Sequence, residues 1–291
     1  MKLARYWTRA SGEATRPGGD RVRASARGWS NDSVEAARDC AREIANRAAA
    51  RIAAGRSERG QYEYGEHPLP EPVLQAFPNS EGTPGAVVTR NAYGALVLNA
   101  SSLMFVDVDV DPKTQSHAAG RSLGGIFGSL FGKPSKPAPS PPDPFIDGFR
   151  KVAERHGLAA RVYQTAAGYR LAITNLPFQP SSSETKALLQ EFGSDPLYMR
   201  LCRQQDSFRA RLSPKPWRCQ CYQLNVKFPF ETPLDKSRYQ GWESYYNSKS
   251  SAYSTCRYVT SLGTGVIAPE FSELIRCHDR ETKSESALPL A

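Results

Sequence analysis

Leu103-Met104-Phe105-Val106-Asp107-Val108-Asp109-Val110-Asp111 alternates between apolar and acidic residues along its second half. Successive side chains of a strand face opposite sides. Met104, Val106, Val108 and Val110 therefore share one face. Phe105, Asp107, Asp109 and Asp111 share the other. Carboxylates crowded on one strand face repel unless water or a cation sits among them. Metal-dependent phosphoryl and nucleotidyl transfer uses such pairs to hold Mg²⁺. Asp107, Asp109 and Asp111 are thus candidate ligands for Mg²⁺ or Mn²⁺, with Asp107 and Asp109 the candidate catalytic pair. The competing reading is a solvated strand end, closed by Pro112.

The flanking sequence sets this strand in a mixed architecture. Upstream, residues 3–10 and 21–29 read as a hairpin across the turn Pro17-Gly18-Gly19-Asp20. A helix follows, capped by Asp32 with Glu35 three residues on. Its apolar positions recur at helical spacing from Val34 to Ile52, and Arg38, Arg42, Arg47 and Arg51 line its other side. Residues 61–85 read as an irregular loop, and 86–89 and 95–99 as strands. Downstream, Lys133 to Pro142 is too rich in proline for a helix or central strand. Residues 113–142 are therefore expected to be a disordered insertion. Its apolar patch, 126–131, is a candidate contact for a protein partner. Order resumes at Asp143-Pro144, an N-cap followed by proline at the first helical position. Strands are predicted at 161–165, 169–174, 207–212 and 223–228. Helices are predicted from Ser181 to about Phe192, Asp195 to Gln204, 234–250 and 269–279. This is α+β, with a largely antiparallel central sheet and helices packed on it. The expected divisions are 1–60, a central domain of 61–112 with 143–230, the 113–142 insertion, and a helical segment at 231–291.

Composition narrows the function classes. The 291 residues carry a formal charge of +9, which favours polyanionic partners such as nucleotides or nucleic acid. No stretch approaches the roughly 20 apolar residues of a membrane span. Six irregularly spaced cysteines do not make a disulfide framework, and no signal peptide is visible. A cytoplasmic protein with reduced thiols is the expectation. Cys219-x-Cys221 alone is too nonspecific for a zinc site. Asp107-x-Asp109-x-Asp111 fails as a calcium loop because Pro112 stands where glycine is needed.

Three segments supply positive charge. The turn from Thr165 to Gly168 exposes backbone N–H groups, and Arg170 adds a planar fork suited to phosphate. Arg203 lies on a helix. Residues 207–218 bring Arg209, Arg211, Lys215 and Arg218 together with Trp217, a ring able to stack on a base. The bland reading of each is a surface turn or a solvated basic face. The aromatics Tyr239, Trp242, Tyr245 and Tyr246 fit helix packing better than base stacking.

An acidic hDhD strand (h, apolar), a Thr-x-x-Gly-x-basic hairpin and an Arg-rich strand leading to Pro and Lys resemble the archaeo-eukaryotic primase-polymerase superfamily over about 95–230. The resemblance implies a palm-like sheet, divalent metal on Asp107 and Asp109, and nucleotide phosphates near Gly168-Tyr169-Arg170. Arg170 stands where that superfamily has a histidine. Its third motif's acid has no secure counterpart, Asp206 being the guess. The chain as a whole is also similar to a bacterial protein family sharing Ala4-Arg5-Tyr6-Trp7 and Phe208 to Cys219, a likeness that brings no function with it. The expected protein binds nucleotide or nucleic acid with a divalent cation, as a divergent nucleotidyltransferase. The alternative is a catalytically inactive nucleic-acid-binding or protein-interaction module.

Overall fold

The computed structural model describes residues 1–55, 67–110 and 143–291. Asp111, the 113–142 insertion and the 126–131 patch lie outside them. The described chain is mixed α+β. Its strands form two four-stranded sheets and a separate two-stranded ribbon, in place of the single central sheet expected. All named strand pairings are antiparallel.

The ribbon joins β1 (Tyr6–Thr15) to β2 (Arg21–Ser30). Helix α1 (Val34–Ala53) lies across it on buried Ala37, Ala41, Ala45 and Ala49. Small residues permit this close approach. A Cβ on Gly28 would lie 2.1 Å from the Ala41 backbone nitrogen, and one on Gly12 2.4 Å from that of Asn46. Ser33 caps α1, its side chain accepting from the Ala36 N–H. Asp32, one residue earlier, is exposed and does not cap.

The first sheet runs β3 (Val73–Pro78), β4 (Pro84–Arg90), β5 (Leu96–Ala100), β9 (Phe208–Arg211). Strand β3 falls inside the stretch read as a loop, because prolines at 70, 72 and 78 flank a short edge strand. The second sheet runs β10 (Cys256–Leu262), β7 (Ala160–Thr165), β8 (Gly168–Ile173), β6 (Phe105–Asp109). The C-terminal segment thus contributes a strand as well as helices. Residues 223–228 form no strand. Leu224 and Val226 instead pack against the aromatics of the later helix at 233–250.

Helices α2 (Pro144–Arg155), α4 (Pro196–Gln205), α5 (Pro233–Ser250) and α6 (Pro269–Thr282) each open on proline. The first helical turn has no use for that N–H, so proline is tolerated there. Helix α3 (Ser183–Glu191) is capped by Ser182 rather than Ser181. One apolar cluster spans both large sheets and α2, α3, α4 and α6. A smaller one holds Cys219, Cys221, Leu224, Tyr239, Trp242 and Tyr246 under α5. The Arg90 guanidinium lies 5.8–5.9 Å from the rings of Tyr239, Trp242 and Tyr246 and pairs with Glu243 at 2.5 Å. No helix among the described residues is long and apolar enough to cross a membrane.

Candidate functional site

Strand β6 places Phe105, Asp107 and Asp109 on one face, as alternation requires, with Val106 and Val108 buried on the other. In the antiparallel register Asp107 stands directly opposite Arg170, and Arg170 opposite Tyr163. Directly opposed residues point to the same side of a sheet. Arg170 Nε donates to Asp107 Oδ1 at 2.9 Å, and Nη2 lies 3.4 Å from Oδ2. Nη1 donates to the Arg211 carbonyl at 2.8 Å, so this side chain ties the two sheets together. Arg170 is 1 % exposed, which leaves no room for a ligand phosphate at it. Burial alone would lower its pKa, but the Asp107 charge outweighs that and holds the guanidinium ionised. Asp107 is 34 % exposed, so water screens the pair in part, but removing that carboxylate would leave the buried guanidinium without its charge partner. Arg170 is therefore structural, a correction to its expected phosphate role.

Two other expected ligands are likewise engaged. Arg209 donates to Asn99 at 2.5 Å and to both Glu71 oxygens at 2.8 and 3.0 Å. Thr89 and Asn99 complete that buried polar network. The Thr165–Gly168 turn serves the strands: Val110 N–H bonds the Ala167 carbonyl, and Thr165 Oγ1 accepts from Ala167 N–H. A Cβ on Gly168 would lie 2.1 Å from the Val108 carbonyl oxygen, so glycine is needed for strand approach. Arg203 is exposed on α4 and forms no hydrogen bond or ion pair among the described residues. Asp206 pairs with the Met1 ammonium at 3.1 Å and is not the third acid of the cluster.

Asp195, expected only as a helix start, stands at the site beside Asp109. It caps α4, and its N–H donates to the Asp107 carbonyl at 2.9 Å, with Ser194 Oγ adding 3.1 Å to the same oxygen. Tyr198 OH donates to the Phe105 carbonyl at 2.9 Å. The start of α4 is thus fastened along β6. The signal available in the sequence was only Asp-Pro at a helix start. Its adjacency to Asp109 comes from tertiary packing. Burial, then Asp195, then Asp107 raise the Asp109 carboxyl above its ordinary value, while Lys215 and Arg218 oppose them.

The basic face survives in Arg211, Lys215 and Arg218. Arg211 Nε and Nη1 are buried and have no hydrogen-bond partner. Burial and the neighbouring Arg170 charge lower its pKa. Burial, then Arg211 and Arg218, lower that of Lys215. Lys215 Nζ sits 5.6 Å from the centre of the Trp217 ring, and Tyr93 meets that ring edge-on at 5.3 Å. Trp217 remains half exposed. The arrangement is a set of cations short of counter-charge, with an aromatic ring beside them. Among the described residues, no three His, Cys, Asp or Glu side chains are grouped to hold a metal ion. All six cysteines are free thiols.

No protein-family model, curated protein or solved structure matches the chain.

Proposed function

We propose that this protein binds a phosphate-bearing ligand, a nucleotide or nucleic acid, on Arg211, Lys215 and Arg218, with Trp217 available for a base. The observation that carries this reading is Arg211. A buried guanidinium N–H without an acceptor costs about 1–3 kcal/mol, and Arg211 carries two such groups. An anionic ligand would supply the missing acceptors and relieve the mutual repulsion of three cations. The resemblance of the sequence over about 95–230 to the primase-polymerase superfamily implies the same ligand class.

Calorimetric titration with ATP and with inorganic phosphate tests this. Arg211→Gln should weaken binding about tenfold or more, equivalent to about 1.4 kcal/mol per decade. Lys215→Gln, at a more open position, should weaken it several-fold. Unchanged affinity in both variants, with intact folding, refutes the site.

A second reading adds Mg²⁺ or Mn²⁺ between Asp109 and the ligand's phosphate, as a nucleotidyltransferase needs. The raised Asp109 carboxyl favours it, since a cation would relieve crowding by Asp195 and Asp107. The described residues do not supply a protein-only ligand set, so such an ion would bind together with the ligand. In Asp109→Asn, divalent-ion dependence of ATP binding should vanish on this reading and persist unaltered on the first.

A further inference from the structure

We propose that the β1–β2 ribbon is a second binding surface, which contacts the phosphodiester backbone of a nucleic acid. Its two faces differ in kind. Gly12 and Gly28 lie against α1, so Tyr6, Thr8, Ala10, Ala14, Val22, Ala24, Ala26 and Ser30 share that side by alternation. That side has no charge. The opposite side carries Arg9, Arg21, Arg23 and Arg27 against a single acid, Glu13, with Ser11, Thr15 and Ser25 between them, and the half-buried Trp7 and Trp29 at its root. Guanidinium and hydroxyl groups are the side chains that most often contact phosphate.

The free half of this face is fully open. Ser11, Glu13, Thr15, Arg21, Arg23 and Ser25 are all exposed. Glu13 stands opposite Arg23 in the register, yet neither it nor Arg21 nor Arg23 forms an ion pair among the described residues. At its root the ribbon meets the body, where Arg9 pairs with Glu231 and Trp7 packs edge-on against Phe228. Arg27, Arg90 and Lys227 there line a cavity of about 30 Å³, and Arg90 Nε is buried without a partner. Arg9 and Arg90 at this root are each matched by a carboxylate, Glu231 and Glu243, so the uncompensated charge lies on the outer half of the ribbon. Residues 1–55 hold eleven Lys and Arg against six Asp and Glu, which is five of the nine net charges.

The occupant follows from the outer half of this face, beyond the half-buried Trp7 and Trp29. A membrane-binding surface needs large apolar side chains to enter the acyl boundary, and none stands on the exposed half. The ribbon is about 30 Å long at 3.3 Å per residue. A polynucleotide presents phosphates over such a length, and a two-stranded ribbon fits a duplex major groove.

Fluorescence anisotropy with a labelled 20-nucleotide strand and its duplex, over a salt series, tests the assignment on the full chain. Arg21→Gln/Arg23→Gln should weaken binding about tenfold and reduce the steepness of log K against log salt by about 2. Both positions are exposed, so the melting temperature should stay unchanged. Unaltered affinity and slope overturn the proposal. So does loss of binding to phosphatidylserine vesicles with oligonucleotide binding intact. The inference does not rest on the Arg211 site, because ATP affinity should be the same in this double variant and in the wild type.

Discussion

Asp109 combines partial burial with two acidic neighbours, and each of these favours the protonated carboxyl. A carboxyl raised in the folded state destabilises the fold once it ionises. That penalty is absent at pH well below 3.8, and it grows as pH rises through 3.8 towards the raised folded value. Asp109→Asn should therefore stabilise the protein at pH 7. Asp109 is mostly solvent-screened, so the gain is a few tenths of a kcal/mol, about 1 °C in melting temperature. Thermal melts of both proteins from pH 3 to 7 should converge at the acid end, and a constant difference would refute the account. The acid pair and its shared face were legible in the sequence, because alternation alone fixes them. The fates of Arg170 and Arg209 were not. Both look like free cations in a linear string, and only the register opposite Asp107 and the packing on Glu71 bind them.

At the scale of elements, the ribbon and α1 form a unit whose closeness depends on hydrogen in place of a methyl group. Gly28→Val would drive a branched side chain into the α1 backbone near Ala41. Overpacking of this kind costs about 1–3 kcal/mol. Hydrogen exchange should show α1 amides losing protection while those of β7 and β8 keep theirs. Equal loss across the molecule would contradict a local interface. The ribbon, α1 and the proline-opened helices were readable because turn chemistry and caps are local. Strand β10 was not. Its sequence Cys256-Arg257-Tyr258-Val259-Thr260-Ser261-Leu262 is polar and bulged between Tyr258 and Thr260, and it becomes a strand only by pairing with β7. The 223–228 stretch errs the other way, since alternating Leu224 and Val226 face an aromatic helix rather than a sheet.

Across the whole molecule, thiols report how the cores close. Cys202, Cys219, Cys221, Cys256 and Cys277 are buried, and Cys40 alone is half-buried on α1. Burial pushes Cys202 and Cys277 up to about 11, which leaves little reactive thiolate at neutral pH; burial would raise Cys256 too, but His278 brings it below its ordinary value, and inaccessibility alone protects it. A thiol-reactive chromophore should therefore titrate one group quickly in the native protein and six in guanidinium chloride. Rapid reaction of several thiols before unfolding would show that the cores are looser than described. The fastening of α4 along β6 has a separate consequence. Strand β6 ends its sheet, and such rims are where identical copies zip together into fibrils. Tyr198, Ser194 and Asp195 already occupy its outward carbonyls at Phe105 and Asp107, so that route to self-assembly is closed while the helix stays in place.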